Sequence, residues 1–272
     1  MSIGQWIGYG LCDIGRIRAT NQDALLVLND HGIWAVADGM GGHAGGDIAS
    51  RLAIEAIQRS AAEAPLPRTA PPGSMTDTEE FLRASVEAAN RRVFEEGATV
   101  RSLHGMGTTL VVLMIRGTRH EKPQSIAYLA HVGDSRAYLY REGTLWPLTR
   151  DHSLVEDYVR QGLLSRDEAA IHPRRHVLTR AVGLDQTVEA EVARLELEPN
   201  DLLILCTDGL TKMLDDRDLA ALVASVGPRP DELSRALVQE ANRRGGEDNV
   251  TVLVCSRNAL QSGSIDMASV AA

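Results

Sequence analysis

Lysine is almost missing from this 272-residue chain: only Lys122 and Lys212 occur. Neither follows a glycine, so a Gly-Lys-Ser/Thr phosphate loop, and with it a P-loop nucleotidase, is excluded. Cysteine is nearly as scarce. Cys12, Cys206 and Cys255 lie far apart with no C-x-x-C pair, which argues against a zinc knuckle or a thioredoxin-like redox site. Each stands in or beside an apolar run, where a free thiol behaves as a small hydrophobe. Aromatic residues make up 4%, thin material for base-stacking platforms. No run approaches the ~20 apolar residues that span a bilayer. Met1 to Gly10 has neither the basic nor the apolar stretch of a signal peptide. The expectation is a reduced, cytoplasmic protein.

Acids exceed bases. With 28 Lys+Arg against 37 Asp+Glu the net charge is -9, the wrong sign for wholesale binding to nucleic acid or an anionic membrane. At 44% hydrophobic and 24% charged residues the composition is that of a globular protein with a substantial core.

Apolar, β-branched runs bounded by turn residues predict strands at 33–37, 108–115, 125–132, 137–140, 202–206 and 250–255. The pieces on either side of Gly133-Asp134-Ser135 read as a hairpin. Helices are expected at 47–62, 79–96, 154–161 and 231–244, the last stopped by Gly245-Gly246. Ser165 and Glu168 fit a capping box. Pro65 to Thr78, with four prolines, reads as an exposed loop, and the chain after Arg257 as a frayed tail. Strands come in clusters and not in regular βαβ alternation. That favours an α+β domain with antiparallel sheets, one domain over 1–257 followed by a tail at 258–272.

Four segments share one design, an apolar strand meeting an aspartate beside glycine or at a turn. They hold Asp38 (AVADGMGG), Asp134 (AHVGDSR), Asp208 (LILCTDGL) and Asp248 (GGEDNVTVLV). A strand fixes the carboxylate, and glycine lets backbone and solvent approach it. One Asp-Gly is only a turn; four argue for convergence. Carboxylates brought together need a cation, because like charges at close range raise one another's pKa. Oxygen ligands without a Cys or His set select Mg²⁺ or Mn²⁺.

These motifs, with R-x-x-N-Q-D from Arg18 to Asp23, GMGTTL and LTRDHS, resemble the bacterial branch of the protein phosphatase 2C family, metal-dependent serine/threonine phosphatases. The resemblance runs from about Ile7 to Cys255. It implies a four-layer α-β-β-α sandwich built on two antiparallel sheets, with a binuclear metal centre at one end. Asp38 would bridge two ions, the Gly39 carbonyl would ligate one of them, and Asp208 and Asp248 would complete the other. Asp134 would hold a third ion with Asp208, and Arg18 would grip the substrate phosphate. The stretch from 152 to about 182 corresponds to the family's variable flap. A hydroxide shared by two ions ~3.5–4 Å apart would attack phosphorus in line, without a phosphoenzyme. The implied substrates are phosphorylated proteins and the implied counterpart a serine/threonine kinase, with the phosphatase acting as a monomer.

Two departures stand out. Gln22 replaces a glutamate that helps fix the second metal in many eukaryotic relatives, leaving Gln22 and Asp23 to orient the site. Met40 replaces a histidine proposed there as general acid, and Met cannot donate a proton; His43 is a candidate substitute. In His172-Pro-Arg-Arg-His176 the arginines would repel a cation, so the segment reads as an exposed basic patch on the flap or as an ordinary solvated loop, and not as a metal site. Three other classes stay open on the sequence: a catalytically silent relative serving as sensor or scaffold, a small-molecule phosphomonoesterase, and a dinucleotide-binding fold suggested by Gly39 to Ala44 (G-x-G-x-x-A) but lacking the second strand and acid that such a fold needs.

Overall fold

The computed structural model describes residues 5–63, 69–70, 75–118 and 124–257. The chain opens with β1 (Trp6–Asp13), β2 (Asp23–Leu28), β3 (Ile33–Met40), α1 (Gly42–Glu63) and the two-residue β4 (Thr69–Ala70). Then come α2 (Met75–Thr99), β5 (Gly107–Thr108), β6 (Leu110–Thr118), β7 (Ser125–Val132), β8 (Arg136–Arg141) and β9 (Thr144–Pro147). Two short helices, α3 (Leu154–Arg160) and α4 (Arg166–Ile171), precede β10 (Glu191–Leu197) and β11 (Leu202–Cys206). The last elements are α5 (Asp208–Thr211), α6 (Asp216–Val226), α7 (Pro230–Arg243) and β12 (Val250–Arg257).

Two sheets result, one ordered β1-β12-β11-β8-β9 and the other β10-β7-β6-β3-β2, with β4 and β5 added beside β6 and β3. Every pairing except that of β4 is antiparallel. Strand periodicity makes the layers. In β3, Ile33, Ala35 and Ala37 face α1 and α2, while Trp34 and Val36 point into the space between the sheets. In β12, Val250, Val252 and Val254 pack with α5, α6 and α7, and Leu253 and Cys255 enter the inter-sheet core. Three cores therefore separate four layers, α-β-β-α, as expected. Central strands buried on both faces read as unbroken apolar runs, which is why the sequence marks them so clearly.

The hairpin expected around Gly133 does not form. β7 pairs with β6 and β10, β8 with β11 and β9, and residues 133–135 carry the chain from one sheet to the other. Gly133 has φ +102°, and a Cβ there would come within 2.6 Å of Thr109, so the turn is too tight for another residue. Helix α2 begins at Met75, inside the stretch read as loop. Residues 64–68 and 71–74 of that region, and the expected tail at 258–272, lie outside the described residues. The Ser165–Glu168 capping box is present, and α7 ends just before Gly245 and Gly246, both at positive φ. Cys206 and Cys255 are buried free thiols. No helix among the described residues is long and apolar enough to cross a membrane.

Candidate active site

Asp38 stands near the end of β3, directly opposite Asp23 on β2. Its backbone is held on both sides: the amide donates to Thr109 Oγ1 (2.9 Å), and the carbonyl accepts from the Thr109 amide (2.8 Å) and from Thr108 Oγ1 (2.9 Å). The Gly39 amide donates to the Gln22 carbonyl at 3.0 Å. A Cβ on Gly39 would lie 1.9 Å from the Gly46 carbonyl oxygen, so only glycine lets the first turns of α1 close against β3.

Asp23 ties the two sheets together. Its Oδ2 accepts from Thr207 Oγ1 and Thr251 Oγ1, each at 2.8 Å, at the ends of β11 and β12. Its Oδ1 is buried with no hydrogen-bond partner among the described residues, and so is Asp208 Oδ1. Desolvation pushes Asp23 up to about 7 despite the two hydroxyls, with Asp208 and Asp248 adding to the rise. Asp38 is raised well above the usual carboxylate range, first by desolvation and then by Asp23, Asp208, Asp134 and Asp248. Asp134, in the turn between β7 and β8, is pushed up to about 7 by desolvation, Asp208 and Asp151. The four aspartates marked in the sequence thus converge, and Asp23 makes a fifth.

Two cations face them. Lys212 Nζ lies 2.6 Å from Asp208 Oδ2 and 2.8 Å from Asp248 Oδ2, and Arg18 Nη2 lies 2.8 Å from the same Asp248 oxygen. Burial alone would raise Asp248, yet Lys212, the Asn249 amide and Arg18 hold it below the usual carboxylate value. Asn249 also fastens the Arg18 loop, donating to the carbonyls of Ile14 (2.9 Å) and Thr20 (3.0 Å) and accepting from the Gln22 amide (2.8 Å). Above the acids opens a cleft of about 840 Å³, lined by Arg18, Asp134, Asp208, Lys212 and Asp248 and, from the segment after β9, by Val155, Ile171, Arg175 and His176 among others.

A model of the protein phosphatase 2C family matches residues 16–259. The chain belongs to the protein phosphatase 2C family. The serine/threonine phosphatase stp of Listeria welshimeri is 37% identical over 254 residues, which cover 92% of this chain and 96% of that protein. The solved serine/threonine phosphatase PstP/Ppp of Mycobacterium tuberculosis superposes with a TM-score of 0.80 at 33% identity, covering 92% of this chain and 98% of that one. The catalytic domain of PstP in complex with two manganese ions gives a TM-score of 0.78 at 31% identity, over 92% and 97% of the two chains. Membership makes this chain a metal-dependent serine/threonine protein phosphatase, and the silent and dinucleotide-binding alternatives fall away.

The residues fit the cations that protein phosphatase 2C enzymes require. Five carboxylates crowd one another, and Asp208 keeps a buried oxygen that no described residue satisfies, an arrangement that a hard divalent cation relieves. The Gln22 side chain packs against Gly46, whose Cβ position lies 2.7 Å from its amide group. Arg175 and His176 line the cleft, and burial beside Arg175 and Lys212 lowers the His176 pKa. The side chain of His43 lies outside the described residues.

Several working residues lie within the quoted motifs but had no role assigned from the sequence. Thr207 and Thr251 hold Asp23. Thr109 joins the Asp38 amide to Ser135 Oγ (2.7 Å). His152 clamps the Asp134 turn: its amide donates to the Gly133 carbonyl (2.9 Å), and its Nδ1 accepts from the Gly133 amide (3.1 Å). With His131 and Glu191 it forms a second group of metal-ligand types. Yet accepting at Nδ1 puts the proton on Nε2, which faces Glu191 at 3.4 Å, so His152 has no lone pair left for a cation. Lys212 carried a signal that could have been read, a base four residues after a candidate ligand.

Proposed function

We propose that Asp38, the Gly39 carbonyl, Asp208 and Asp248 hold two divalent cations, Mn²⁺ or Mg²⁺, and that Asp134 with Asp208 holds a third. The observation that carries this reading is Asp208 Oδ1, buried without a hydrogen-bond partner among the described residues, in a cluster of mutually repelling carboxylates. When bound, the cations supply Lewis acidity toward water and the phosphoryl oxygens. Asp23, fixed by its two threonines, orients the site together with Gln22 and does not ligate. Arg18, half exposed at the cleft mouth, turns its guanidinium to the substrate phosphate, where the planar fork donates two parallel hydrogen bonds. Met40 offers no proton, so the departing serine or threonine alkoxide takes one from water in the open cleft.

Around this site we place one catalytic domain over 1–257, with a flap at 152–182 and a tail at 258–272. It acts as a monomer in the cytoplasm on phosphorylated proteins, opposing a serine/threonine kinase. The open cleft, with Arg175 among its lining residues, favours a phosphorylated chain segment over a small enclosed ester. The test is phosphate release from a phosphothreonine peptide and from p-nitrophenyl phosphate, with Mn²⁺, with Mg²⁺ and with EDTA. Peptide hydrolysis that depends on the divalent ion and is lost in Asp208→Asn supports the reading. Full activity of Asp208→Asn removes the ligand assignment, and hydrolysis of the aryl phosphate alone would make the enzyme a small-molecule phosphomonoesterase.

A further inference from the structure

Where the chain's other cations are nearly all arginine, a lysine stands in the acid pocket. Lys212 closes the turn after α5, its amide donating to the Asp208 carbonyl at 2.8 Å, so its side chain rises on the same face as the Asp208 carboxylate. The ammonium then reaches both Asp208 Oδ2 (2.6 Å) and Asp248 Oδ2 (2.8 Å), distances of charge-assisted contacts.

We propose that Lys212 is a tethered counter-cation that competes with the divalent ion for Asp208 and Asp248. It neutralises the pair in the metal-free protein and swings out toward the cleft when the ion binds. The inference rests on reading those two aspartates as metal ligands. A small divalent ion sits ~2.0–2.2 Å from its carboxylate oxygens. An ion at that distance from both Oδ2 atoms would occupy the space the ammonium fills, and the two positive charges would repel across shared oxygens. The two carboxylates are not equally ready. Asp208 keeps a free oxygen in Oδ1. Asp248 keeps none, because Oδ1 accepts from the Asn249 amide (2.9 Å) and Oδ2 holds both Lys212 and Arg18. Ligation through Asp248 Oδ2 therefore requires the lysine to leave. A compact ammonium on a flexible stem is suited to leaving; a planar guanidinium at the same place would grip the carboxylates more rigidly. The chain accordingly gives up metal affinity for a metal-free pocket whose acids are already in position.

Metal binding itself tests this. The full chain and its Lys212→Met variant are stripped with EDTA, dialysed and titrated with MnCl₂ by calorimetry. The variant is expected to bind Mn²⁺ about tenfold or more tightly, the equivalent of losing one competing charge-assisted contact. Its metal-free melting temperature should be lower than wild type and its rise on adding Mn²⁺ larger. Lys212→Gln, which keeps hydrogen bonding without charge, gives the same comparison should the apolar variant not fold without metal. Lys212→Arg should bind Mn²⁺ no more tightly than wild type. Equal or weaker Mn²⁺ binding by the uncharged variants overturns the inference and leaves the metal site standing. No Mn²⁺ binding by any of the proteins overturns the ligand reading and this inference with it.

Discussion

Asp23 and Asp38 face each other across neighbouring antiparallel strands, two carboxylates in register with no cation on either among the described residues. Like charges directly opposed on a sheet are destabilising, so the pairing is paid for by the sites it creates. Asp23 is held by Thr207 and Thr251, and in the proposed site it orients without ligating. Asp23→Asn keeps an acceptor for both hydroxyls but removes the charge. It should lower Mn²⁺ affinity or activity by roughly 10–100-fold, the range for a group that supports a ligand without being one. Asp38→Asn should lose activity altogether. Steady-state assays across a Mn²⁺ titration separate the two, and equal effects would mean that Asp23 ligates directly.

The same crowding sets a pH dependence for the metal-free protein. Asp23 and Asp134 are pushed from 3.8 up to about 7 in the fold. Such groups bind protons in the folded chain that the unfolded chain has already released. Their contribution to stability is complete below the unfolded value and is lost as pH rises through about 7. In EDTA the melting temperature should therefore fall by roughly 5 °C or more between about pH 5 and about pH 8. Saturating Mn²⁺ should flatten that slope, and Mn²⁺ binding near pH 6 should release protons. A metal-free melting temperature that rises over the same interval would contradict the crowded-acid picture.

Much of this was legible in the sequence, and for physical reasons. Asp38, Asp134, Asp208 and Asp248 could be found because each meets a strand buried on both faces, whose apolar run points at the acid. β1, β2 and β10 escaped notice: their side chains are mixed in burial, so neither an unbroken apolar run nor a clean alternation marks them. With β2 unseen, the pairing that sets Asp23 against Asp38 had no basis in sequence. The Gly133-Asp134-Ser135 turn misled because a tight glycine turn between apolar strands has the same local chemistry whether it joins neighbours in one sheet or crosses between two. Lys212 was legible as an exception to an arginine-rich composition and as a base four residues after Asp208; that its stem also reaches Asp248, 36 residues further on, is a tertiary fact.

His152 carries a prediction about stability as well as activity. It is buried, stacked on His131 with ring centroids 4.5 Å apart, and its Nδ1 is the acceptor for the Gly133 amide. His152→Ala would leave that amide unsatisfied and open a gap beside His131. The expected cost is about 2–4 kcal/mol by chemical denaturation. The Asp134 turn loosens with it, so activity in the folded variant should fall more at low than at saturating Mn²⁺. Asn at 152, which can still accept from Gly133, should recover part of both losses.

Arg18 separates substrate binding from metal binding. It is half exposed and touches the acid pocket only through Asp248, which Lys212 also holds. Its guanidinium can thus be removed without emptying the pocket of cations. Arg18→Ala should raise KM for a phosphothreonine peptide about tenfold or more, the worth of one charge-assisted contact to phosphate, with a smaller change in kcat. Arg18→Lys keeps the charge but not the fork and should fall between the two. Mn²⁺ affinity measured by calorimetry should not fall, because Arg18 holds no proposed ligand oxygen other than Asp248 Oδ2 and does not orient the rest of the site. A large loss of Mn²⁺ binding in Arg18→Ala, with KM unchanged once metal is saturating, would instead make Arg18 a prop for Asp248 and leave the substrate phosphate to another cation of the cleft, Lys212 or Arg175.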